Sequence, residues 1–527
     1  MPEEQRAGMS RREALVTSAA VGAALAAETV AAPRALPGNP PNVLFILTDQ
    51  WRSQAFGYAG DPNVQTPHID RLAGESVNFT NAVSVCPVCT PHRAALLTGR
   101  YPTSTGMFLN DLYLPDDELC LAEMFRAAGY CTGYIGKWHL DGHGRSSYIP
   151  PRRRQGFDYW KAAECDHNYV HSHYYAGMAE EMKHWGGFDA FSQTRDAQAF
   201  MREHSGGNRP YFLFVSYGGP HFPHDLCPEE YMARYPKDKL KLRPNVTEDM
   251  ADWARRELVG YYAHCSILDD CVGELLSTLR ELKDEGNTLV VFTSDHGEMM
   301  GSHGWRPFAK QTVWNESASV PFLIRFPERH GKQGRKTRTP ITTPDILPTL
   351  LSLAGLPTCD TLEGRDWSGL VRAGAEDPDN AALYMSVVPF NINQDMPAYR
   401  AVRTSHHTYA RNLQGPWLLF DNDADPYQQG NLLDSREHAG LREDLDGLLR
   451  QELERIGDTF QPREHYVREW GYKVDQNWDI PYGEDAIVQT PFNCRFCLRA
   501  SRASWSLRSR SAWIASRRPS SMSSGVT

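Results

Sequence analysis

The sequence has no long hydrophobic segment, few cysteines and no excess of positive charge. No uninterrupted apolar run reaches the roughly 20 residues that cross a bilayer, which excludes a polytopic membrane protein. Eleven cysteines among 527 residues are too few for a disulfide scaffold, and their odd number leaves at least one thiol unpaired. Lys and Arg number 55 against 65 Asp and Glu, a net charge of −10, so the basic surface of a non-specific nucleic-acid binder is missing.

The two ends of the chain lack the composition of a folded domain. Residues 1–41 are predicted to be a signal peptide and linker, because Ser10, Arg11 and Arg12 precede an alanine-rich apolar stretch. The paired arginines indicate twin-arginine export to a periplasmic or extracellular location, and an ordinary disordered N-terminus is the alternative. Residues 481–527 form a Ser/Arg-rich tail without hydrophobic periodicity, and we expect it to be disordered. A basic tail that binds an anionic surface is the alternative.

Between these ends, five short apolar runs alternate with amphipathic stretches, at residues 43–48, 131–136, 211–217, 288–293 and 320–326. This pattern predicts an α/β fold, with a large mostly parallel sheet flanked by helices. Four of the runs are followed, at once or within four residues, by acids, bases or amines, namely Asp49, Lys137, His221 and Asp295. Ligands bind outside the carboxyl ends of such strands, so we expect these side chains to meet at one edge. For any single one of them, a turn residue or helix cap is the alternative.

The acids and their neighbours predict a cation site. Asp49, Gln50, Asp295 and His296 offer mostly oxygen donors from two strand ends. Oxygen-rich sets suit calcium or magnesium better than zinc, and the neutral amide and mixed ligands favour the tolerant coordination of Ca²⁺. A polar cluster held by hydrogen bonds alone is the alternative.

The CxxC segment that ends at Cys89 carries the strongest local signal. Pro91 is suited to the first position of a helix and Gly99 to the residue that ends it, which predicts Cys89 at the helix N-terminus. Backbone N–H groups and the helix dipole favour an anion there, and Arg93 lies one turn further on. A nucleophile, an anion site and a guanidinium therefore converge. A redox pair with Cys86, a metal knuckle or a buried structural cysteine are the alternatives.

These residues resemble the sulfatase family of the alkaline-phosphatase-like superfamily. Residues 89–93, Cys-Thr-Pro-His-Arg, match the CxPxR core of the family signature, although His92 stands where the family usually has a small residue. Other segments follow in family order at residues 66–72, 136–139, 219–223, 294–298, 310, 316–322, 345–350 and 419–432. The likeness covers roughly residues 42–470.

The resemblance implies an enzyme that hydrolyses a sulfate ester. A maturation system would convert Cys89 to Cα-formylglycine, whose hydrated aldehyde would be the nucleophile. The residues implied to hold Ca²⁺ are Asp49, Gln50, Cys89, Asp295 and His296. The residues implied to meet the charge on the sulfuryl group, besides the metal, are Arg93, Lys137, His139 and Lys310. His221 would donate a proton to the leaving alcohol, alone or with Lys310, and His139 would act as a base.

The substrate implied is a small-molecule or carbohydrate sulfate ester. Three loops are candidates for its pocket, although each is also readily explained as a solvated loop. They contain residues 107–111, then His143 and Arg145 near Arg152 to Arg154, and lastly His167, His171 and His173. Two alternative functions stay open at this point. They are a phosphonate monoester or phosphodiester hydrolase of the same superfamily, and a silent glycan-binding protein with unmodified Cys89.

The predicted organisation has two folded parts. Residues 42–385 form the catalytic domain, and residues 386–480 form a smaller C-terminal α+β subdomain. Short apolar runs near residues 399–403 and 409–411 predict strands in the second part. Leucines at helical spacing between Leu441 and Leu453 predict an amphipathic helix whose leucines pack into the core.

Overall fold

Sixteen strands and thirteen α-helices lie within residues 39–481, which the computed structural model describes apart from position 378. The predicted signal peptide and nearly all of the predicted tail lie outside the described residues. None of the helices that are described combines the length and the hydrophobicity needed to cross a membrane.

The strands, in chain order, are β1 (Asn42–Asp49), β2 (Val77–Phe79), β3 (Ala82–Val83), β4 (Cys131–Lys137), β5 (Tyr159–Ala163), β6 (His173–Ala176), β7 (Lys183–His184), β8 (Tyr211–Pro220), β9 (Thr288–Ser294), β10 (Phe322–Arg325), β11 (Arg335–Thr337), β12 (Ile341–Thr342), β13 (Ala382–Ser386), β14 (Tyr399–Arg403), β15 (His407–Asn412) and β16 (Gly415–Asp421). The helices are α1 (Pro67–Gly74), α2 (Cys89–Thr98), α3 (Pro102–Thr105), α4 (Leu121–Ala127), α5 (Asp189–His204), α6 (Glu229–Met232), α7 (Ala251–Glu281), α8 (Asn315–Ala318), α9 (Pro327–His330), α10 (Ile346–Leu353), α11 (Ser368–Ala373), α12 (Ala439–Ile456) and α13 (Arg463–Glu469).

Ten strands form one large sheet in the order β11-β2-β10-β9-β1-β8-β4-β5-β6-β7. The five central strands, β9, β1, β8, β4 and β5, run parallel. The outer strands β10 and β6 run antiparallel to their inner neighbours. Neighbouring parallel strands need a crossover connection, which is usually a helix. No helix lies between β5 and β6, so these two strands pair antiparallel. The predicted α/β fold is confirmed, and its parallel character is concentrated at the centre of a mixed sheet.

Helices cover both faces of the central strands, which explains their unbroken hydrophobic runs. On one face, Leu44 and Ile46 of β1 share a buried core with Leu268 of α7. On the other, Phe125 of α4 stacks on Phe212 of β8, with ring centroids 4.6 Å apart. With both faces covered, the polar side chains at the strand ends are left at one edge of the sheet.

The C-terminal strands β13 to β16 form a separate four-stranded antiparallel sheet. Leu445, Leu449 and Leu453 of α12 are buried, as their spacing predicts. The predicted domain boundary at residue 385 falls inside β13, so the sheet begins at Ala382. Tyr384 of β13 shares a core with Val313 of the larger part, and the small sheet therefore packs against the segment that precedes α8.

Helix α2 begins at Cys89 rather than at Pro91, two residues earlier than predicted. Pro91 still fits, because N–H groups of the first turn have no partner within the helix. Gly99 ends the helix with φ of 66°, and its N–H donates to the Ala95 carbonyl, as its position predicts. All ten residues of α2 are buried. Cys89 is thus fixed inside the protein at a helix N-terminus.

Glu316 in α8 is a buried acid that links distant segments, and its replacement is expected to change stability with pH. Burial acts to raise its pKa, but Arg243, whose Nη2 lies 2.9 Å from Glu316 Oε1, and His303 lower that pKa to about 2. The carboxylate therefore contributes stability above its ordinary pKa of 4.5, and this contribution is lost as the pH falls toward 2. We expect Glu316→Gln to lose about 3 kcal/mol at pH 7 and progressively less in acid.

Calorimetric melting of both proteins between pH 7 and pH 3 measures this difference. Glu285→Gln is the matched control, because Glu285 pairs with Arg325 but is 37% exposed. A gap in melting temperature between wild type and Glu316→Gln that stays constant over this pH range would contradict the prediction.

Candidate active site

Cys89 lies at the centre of the charged groups that the strand ends deliver. Its side chain is buried, with 1% of its surface exposed. The atoms around its Sγ are His296 Nε2 at 3.3 Å, Asp49 Oδ1 at 3.6 Å, Lys310 Nζ at 3.7 Å and Lys137 Nζ at 3.8 Å. Asp49 and Lys137 end β1 and β4, and His296 follows β9. Asp49 and Lys137, two of the four strand-end residues expected to meet, therefore lie together at one edge of the sheet.

The carboxylates of Asp49 and Asp295 are each held on one side by cations. Asp49 Oδ2 lies 2.6 Å from Lys137 Nζ and 3.1 Å from Arg93 Nη2, and Asp295 Oδ2 lies 3.1 Å from the same Nη2. Burial acts to raise the pKa of Asp49, but Lys137 and its other cationic neighbours hold that pKa well below its ordinary value. The Oδ1 atoms point the other way, 3.7 and 3.6 Å from His296 Nε2.

His296 presents a lone pair to these oxygens. Its Nδ1 donates to the Gly297 carbonyl at 2.9 Å, which leaves Nε2 unprotonated in the neutral ring. Burial lowers the pKa of His296 despite the nearby Asp295 carboxylate, so the neutral form is favoured. One ligand atom from each of Asp49, Cys89, Asp295 and His296 lies within 4.8 Å of the others. Four of the five predicted metal ligands thus form a buried cluster.

Gln50, the fifth, lies beside this cluster in a strained backbone conformation with φ of 66°. Its backbone N–H donates to Asp295 Oδ1 at 3.0 Å, and its side-chain oxygen accepts from Lys310 Nζ at 2.9 Å. Its amide nitrogen donates to the buried Glu298. These three contacts fix the amide oxygen next to Lys310.

Arg93 donates to protein acceptors with all three of its nitrogens. Nε bonds Asp295, Nη1 bonds the Lys137 carbonyl and Ser216 Oγ, and Nη2 contacts both Asp49 and Asp295. Four of these contacts are hydrogen bonds, and the contact between Nη2 and Asp295 is an ion pair. In the structure Arg93 orients the two carboxylates, and the role at the sulfuryl oxygens that the resemblance implies for it stays a prediction.

Lys310 and His221 face each other next to Cys89. Lys310 Nζ lies 3.0 Å from His221 Nε2, and His221 Nδ1 donates to the Phe222 carbonyl at 2.7 Å. Burial and the Lys310 ammonium lower the pKa of His221 well below its ordinary value. The pair can share one proton between an amine and an imidazole at the mouth of the buried cluster.

His139 belongs to a second pair that sequence reasoning did not identify. Its Nε2 donates to Asp111 Oδ1 at 2.8 Å, and Arg145 Nη2 holds the other oxygen of Asp111 at 3.0 Å. Thr90, next to Cys89, donates its hydroxyl to the His139 carbonyl at 2.9 Å. The buried Nδ1 of His139 has no hydrogen-bond partner among the described residues. A neutral His139 ring therefore carries its lone pair on Nδ1.

The loops predicted to line the substrate pocket differ in what their side chains contact. Arg153 pairs with Asp141, and Arg154 is buried and donates to the carbonyls of Ile149 and Gly177. Arg153 and Arg154 therefore have buried partners, whereas Arg152 is exposed and lies 4.0 Å from the exposed Asp116. From the histidine-rich loop, His167 reaches the site and stacks on His221. In the sequence, only the position of His167 among aromatic residues indicated a place in the site.

The chain matches known proteins along most of its length. The family model Sulfatase matches residues 41–356, and N-sulphoglucosamine sulphohydrolase, C-terminal, matches residues 301–455. Ulvan-active sulfatase of Formosa agariphila is 51% identical over 445 residues, which are 84% of this chain and 87% of that protein. Endo-4-O-sulfatase of Bacteroides thetaiotaomicron is 32% identical, over 74% of this chain and 88% of that protein.

The fold comparison agrees with the sequence matches. The solved structure of yidJ from Bacteroides fragilis superposes with a TM-score of 0.73 and 29% identity, and covers 84% of this chain and 99% of that one. The family model spans more than half of the chain and includes every residue that surrounds Cys89. The chain therefore belongs to the sulfatase family and is a sulfuric ester hydrolase.

Proposed function

We propose that this enzyme hydrolyses a sulfate ester of a sulfated carbohydrate to an alcohol and inorganic sulfate. Support for the carbohydrate comes from the relatives, since the 51% identical one is named for its action on ulvan. The overall charge of −10 is compatible with an anionic substrate, because cations gathered in a cleft act more strongly than charges spread over a surface.

The observation that carries the proposal is the position of Cys89. Its Sγ lies at a helix N-terminus with two ammonium groups within 4 Å, a setting that favours an anion. We propose that Cys89 is converted to Cα-formylglycine, whose hydrate would supply one hydroxyl as nucleophile and a second through which sulfate is expelled. Because Cys89 is 1% exposed, the maturation system would need to reach it before the chain folds.

The residues around Cys89 fit a hard divalent cation. Asp49 Oδ1, Asp295 Oδ1 and the lone pair of His296 converge, while cations already hold the opposite carboxylate oxygens. We propose that these three residues, with Gln50 and residue 89, hold Ca²⁺. The ion would supply Lewis-acid polarisation of the sulfuryl oxygens.

Side chains around Cys89 would stabilise charge and transfer protons during the reaction. Lys137 and Lys310 would balance the negative charge of the sulfuryl group. His221, with Lys310 at 3.0 Å, would deliver a proton to the leaving oxygen, and His139 would accept one from the second hydroxyl. Arg93 would keep the two carboxylates oriented and add its positive charge near the sulfuryl group.

Sulfate release from defined substrates tests the proposal. Purified enzyme is incubated with ulvan, other sulfated polysaccharides and their oligosaccharides, and free sulfate is measured by ion chromatography. Matched aryl sulfate, phosphodiester and phosphonate monoester substrates are compared under the same conditions. Faster cleavage of the phosphorus esters would favour the phosphonate hydrolase alternative. Binding of sulfated glycans without release of sulfate, together with a thiol at position 89, would favour the silent glycan-binding protein.

Removal of the cation is expected to abolish activity reversibly. After dialysis against a calcium chelator, we expect turnover near background and a lower melting temperature, because the two buried carboxylates lose their shared ligand. Binding at a hundred times the dissociation constant stabilises a fold by about 2.7 kcal/mol. Added Ca²⁺ should restore both properties, and Asp295→Asn should lose the calcium-dependent shift in melting temperature. Full activity in protein that elemental analysis finds metal-free would refute the metal site.

A further inference from the structure

His167 lies against the proposed proton donor although it follows a different strand. Its ring stacks on that of His221, with centroids 4.2 Å apart and planes inclined by 11°. Phe222 also stacks on His221 at 4.3 Å, and the His167 and Phe222 centroids are 6.0 Å apart. The three rings thus form one cluster, with His221 in contact with both of the others.

The loop that carries His167 is tied down on both sides of it. Asp166 accepts from the backbone N–H groups of Asn168 and His173, both at 2.9 Å. His167 Nε2 lies 3.5 Å from Cys165 Sγ. These contacts hold the ring in place independently of His221.

The same loop also holds the backbone of His221. The buried Tyr169 donates its hydroxyl to the His221 carbonyl at 2.5 Å and lies 3.2 Å from the Gly218 carbonyl. One loop therefore contacts His221 twice, through a hydrogen bond to its main chain and through a stacked ring on its side chain. The other two histidines of this segment have different ring partners, since His171 stacks on His184 and His173 packs edge-on against Tyr175.

We propose that His167 is a positioning residue that keeps the His221 ring oriented for proton transfer to the leaving oxygen. The inference rests on the proposed function, since it assigns a support to the proton donor of that reaction. The His221 nitrogens are directed at the Phe222 carbonyl and Lys310, and rotation of the ring would break both contacts. The stacked His167 ring opposes that rotation. Such alignment matters because a donor must lie within hydrogen-bond reach of the atom that it protonates.

Two aryl sulfates that differ in leaving group test the inference. 4-Nitrophenyl sulfate has a good leaving group that needs little protonation, whereas phenyl sulfate has a poorer one that needs more. For His167→Ala we expect kcat on phenyl sulfate to fall by at least about 10-fold, with KM and the rate on 4-nitrophenyl sulfate nearly unchanged. His167→Phe keeps a flat ring on His221 and should recover most of the rate.

The matched control is His184→Ala, because His184 is exposed, stacks on His171 at 4.1 Å rather than on His221, and should not affect either substrate. If His167→Ala does not fold, His167→Leu takes its place and must show the same pattern. Equal losses on both substrates, a change in KM alone, or a Phe variant as slow as the Ala variant would overturn the inference while leaving the proposed function intact. A correctly matured wild type that cleaves no sulfate ester would overturn both.

Discussion

Replacing Cys89 with alanine is expected to reduce turnover to background, the largest effect of any single change in this chain. Alanine cannot be converted to an aldehyde, so no nucleophile would remain at the start of α2. In a serine protease that works by covalent catalysis, loss of the nucleophile lowers kcat by about a million-fold. The helix should persist, because alanine favours helices and the position is fully buried. Steady-state sulfate release, together with a melting curve, measures both expectations.

Cys89→Ser separates the aldehyde hydrate from a simple alcohol. A serine offers one hydroxyl, so a sulfate transferred to it would form a stable ester with no second hydroxyl to expel it. We expect at most one turnover per active site, followed by a stall that mass spectrometry detects as a sulfated peptide. Wild-type rates in this variant would contradict the proposed scheme.

Cys86→Ala is the matched control for both variants. Cys86 lies three residues before Cys89 and is equally buried, and burial raises its pKa to about 12, which keeps it a neutral thiol. We expect this variant to release sulfate at a rate close to that of wild type. Mass spectrometry of the peptide that contains residue 89 should show the change from thiol to aldehyde in wild type and in Cys86→Ala. An unmodified thiol in fully active protein would refute the proposed nucleophile.

The strand ends of the site could be predicted because each lies beside a run that the sheet buries. Asp49 and Lys137 are the last residues of β1 and β4, and Asp295 follows β9 directly. In a parallel sheet the carboxyl ends of the strands lie at one edge, whatever the conformation of the connecting loops. The position of a residue just after an apolar run is therefore enough to place it at that edge. Cys89 could be placed in the same way, since Pro91 and Gly99 bound a single short helix.

Other features of the site depend on contacts between loops and have no periodic signal. Lys310 follows β9 by a long irregular segment, and its place is set in part by Asn393, which donates to the Lys310 carbonyl from 83 residues away. The partners of Arg93 also depend on packing, because its four hydrogen bonds reach acceptors on four separate segments of the chain. The antiparallel outer strands could not be assigned either, because apolar runs do not encode strand direction.

Asp111 illustrates the same limit and leads to the second large effect. It lies 28 residues before His139 in a loop, yet their side chains pair at 2.8 Å. Burial acts to raise the pKa of Asp111, but His139 and Arg145 lower it below its ordinary value, so the carboxylate stays charged. This charge fixes the proton of a neutral His139 on Nε2 and would stabilise the imidazolium that forms when Nδ1 accepts a proton.

Asp111→Asn is therefore expected to lower kcat by about 100-fold or more and to lower KM with it, leaving kcat/KM nearly unchanged, because only the step after the covalent intermediate is slowed. The amide is close in size to the carboxylate, but its oxygen has no charge to offer an imidazolium, and its NH₂ group can bond a His139 ring that carries its proton on Nδ1. The buried Nδ1 would then no longer be available as a base. Since Lys310 and His221 are untouched, release of the alcohol should continue, and the slowed step should be expulsion of sulfate. A pre-steady-state burst of alcohol equal to the number of active sites, followed by slow turnover, would show this directly.

Asp117→Asn is the matched control, because Asp117 lies in the same loop and is exposed. It should retain wild-type kinetics and the same melting temperature. Arg145→Gln should be slowed less than Asp111→Asn, because Arg145 contacts the carboxylate and not the imidazole. The relative rates of these three variants separate a specific effect on His139 from a general loss of negative charge. A general loss of charge would slow the Asp117 and Asp111 variants alike. If Asp111→Asn slows release of the alcohol as much as release of sulfate, then His139 does not act in the second step and the proposed division of proton transfers between His139 and His221 is wrong.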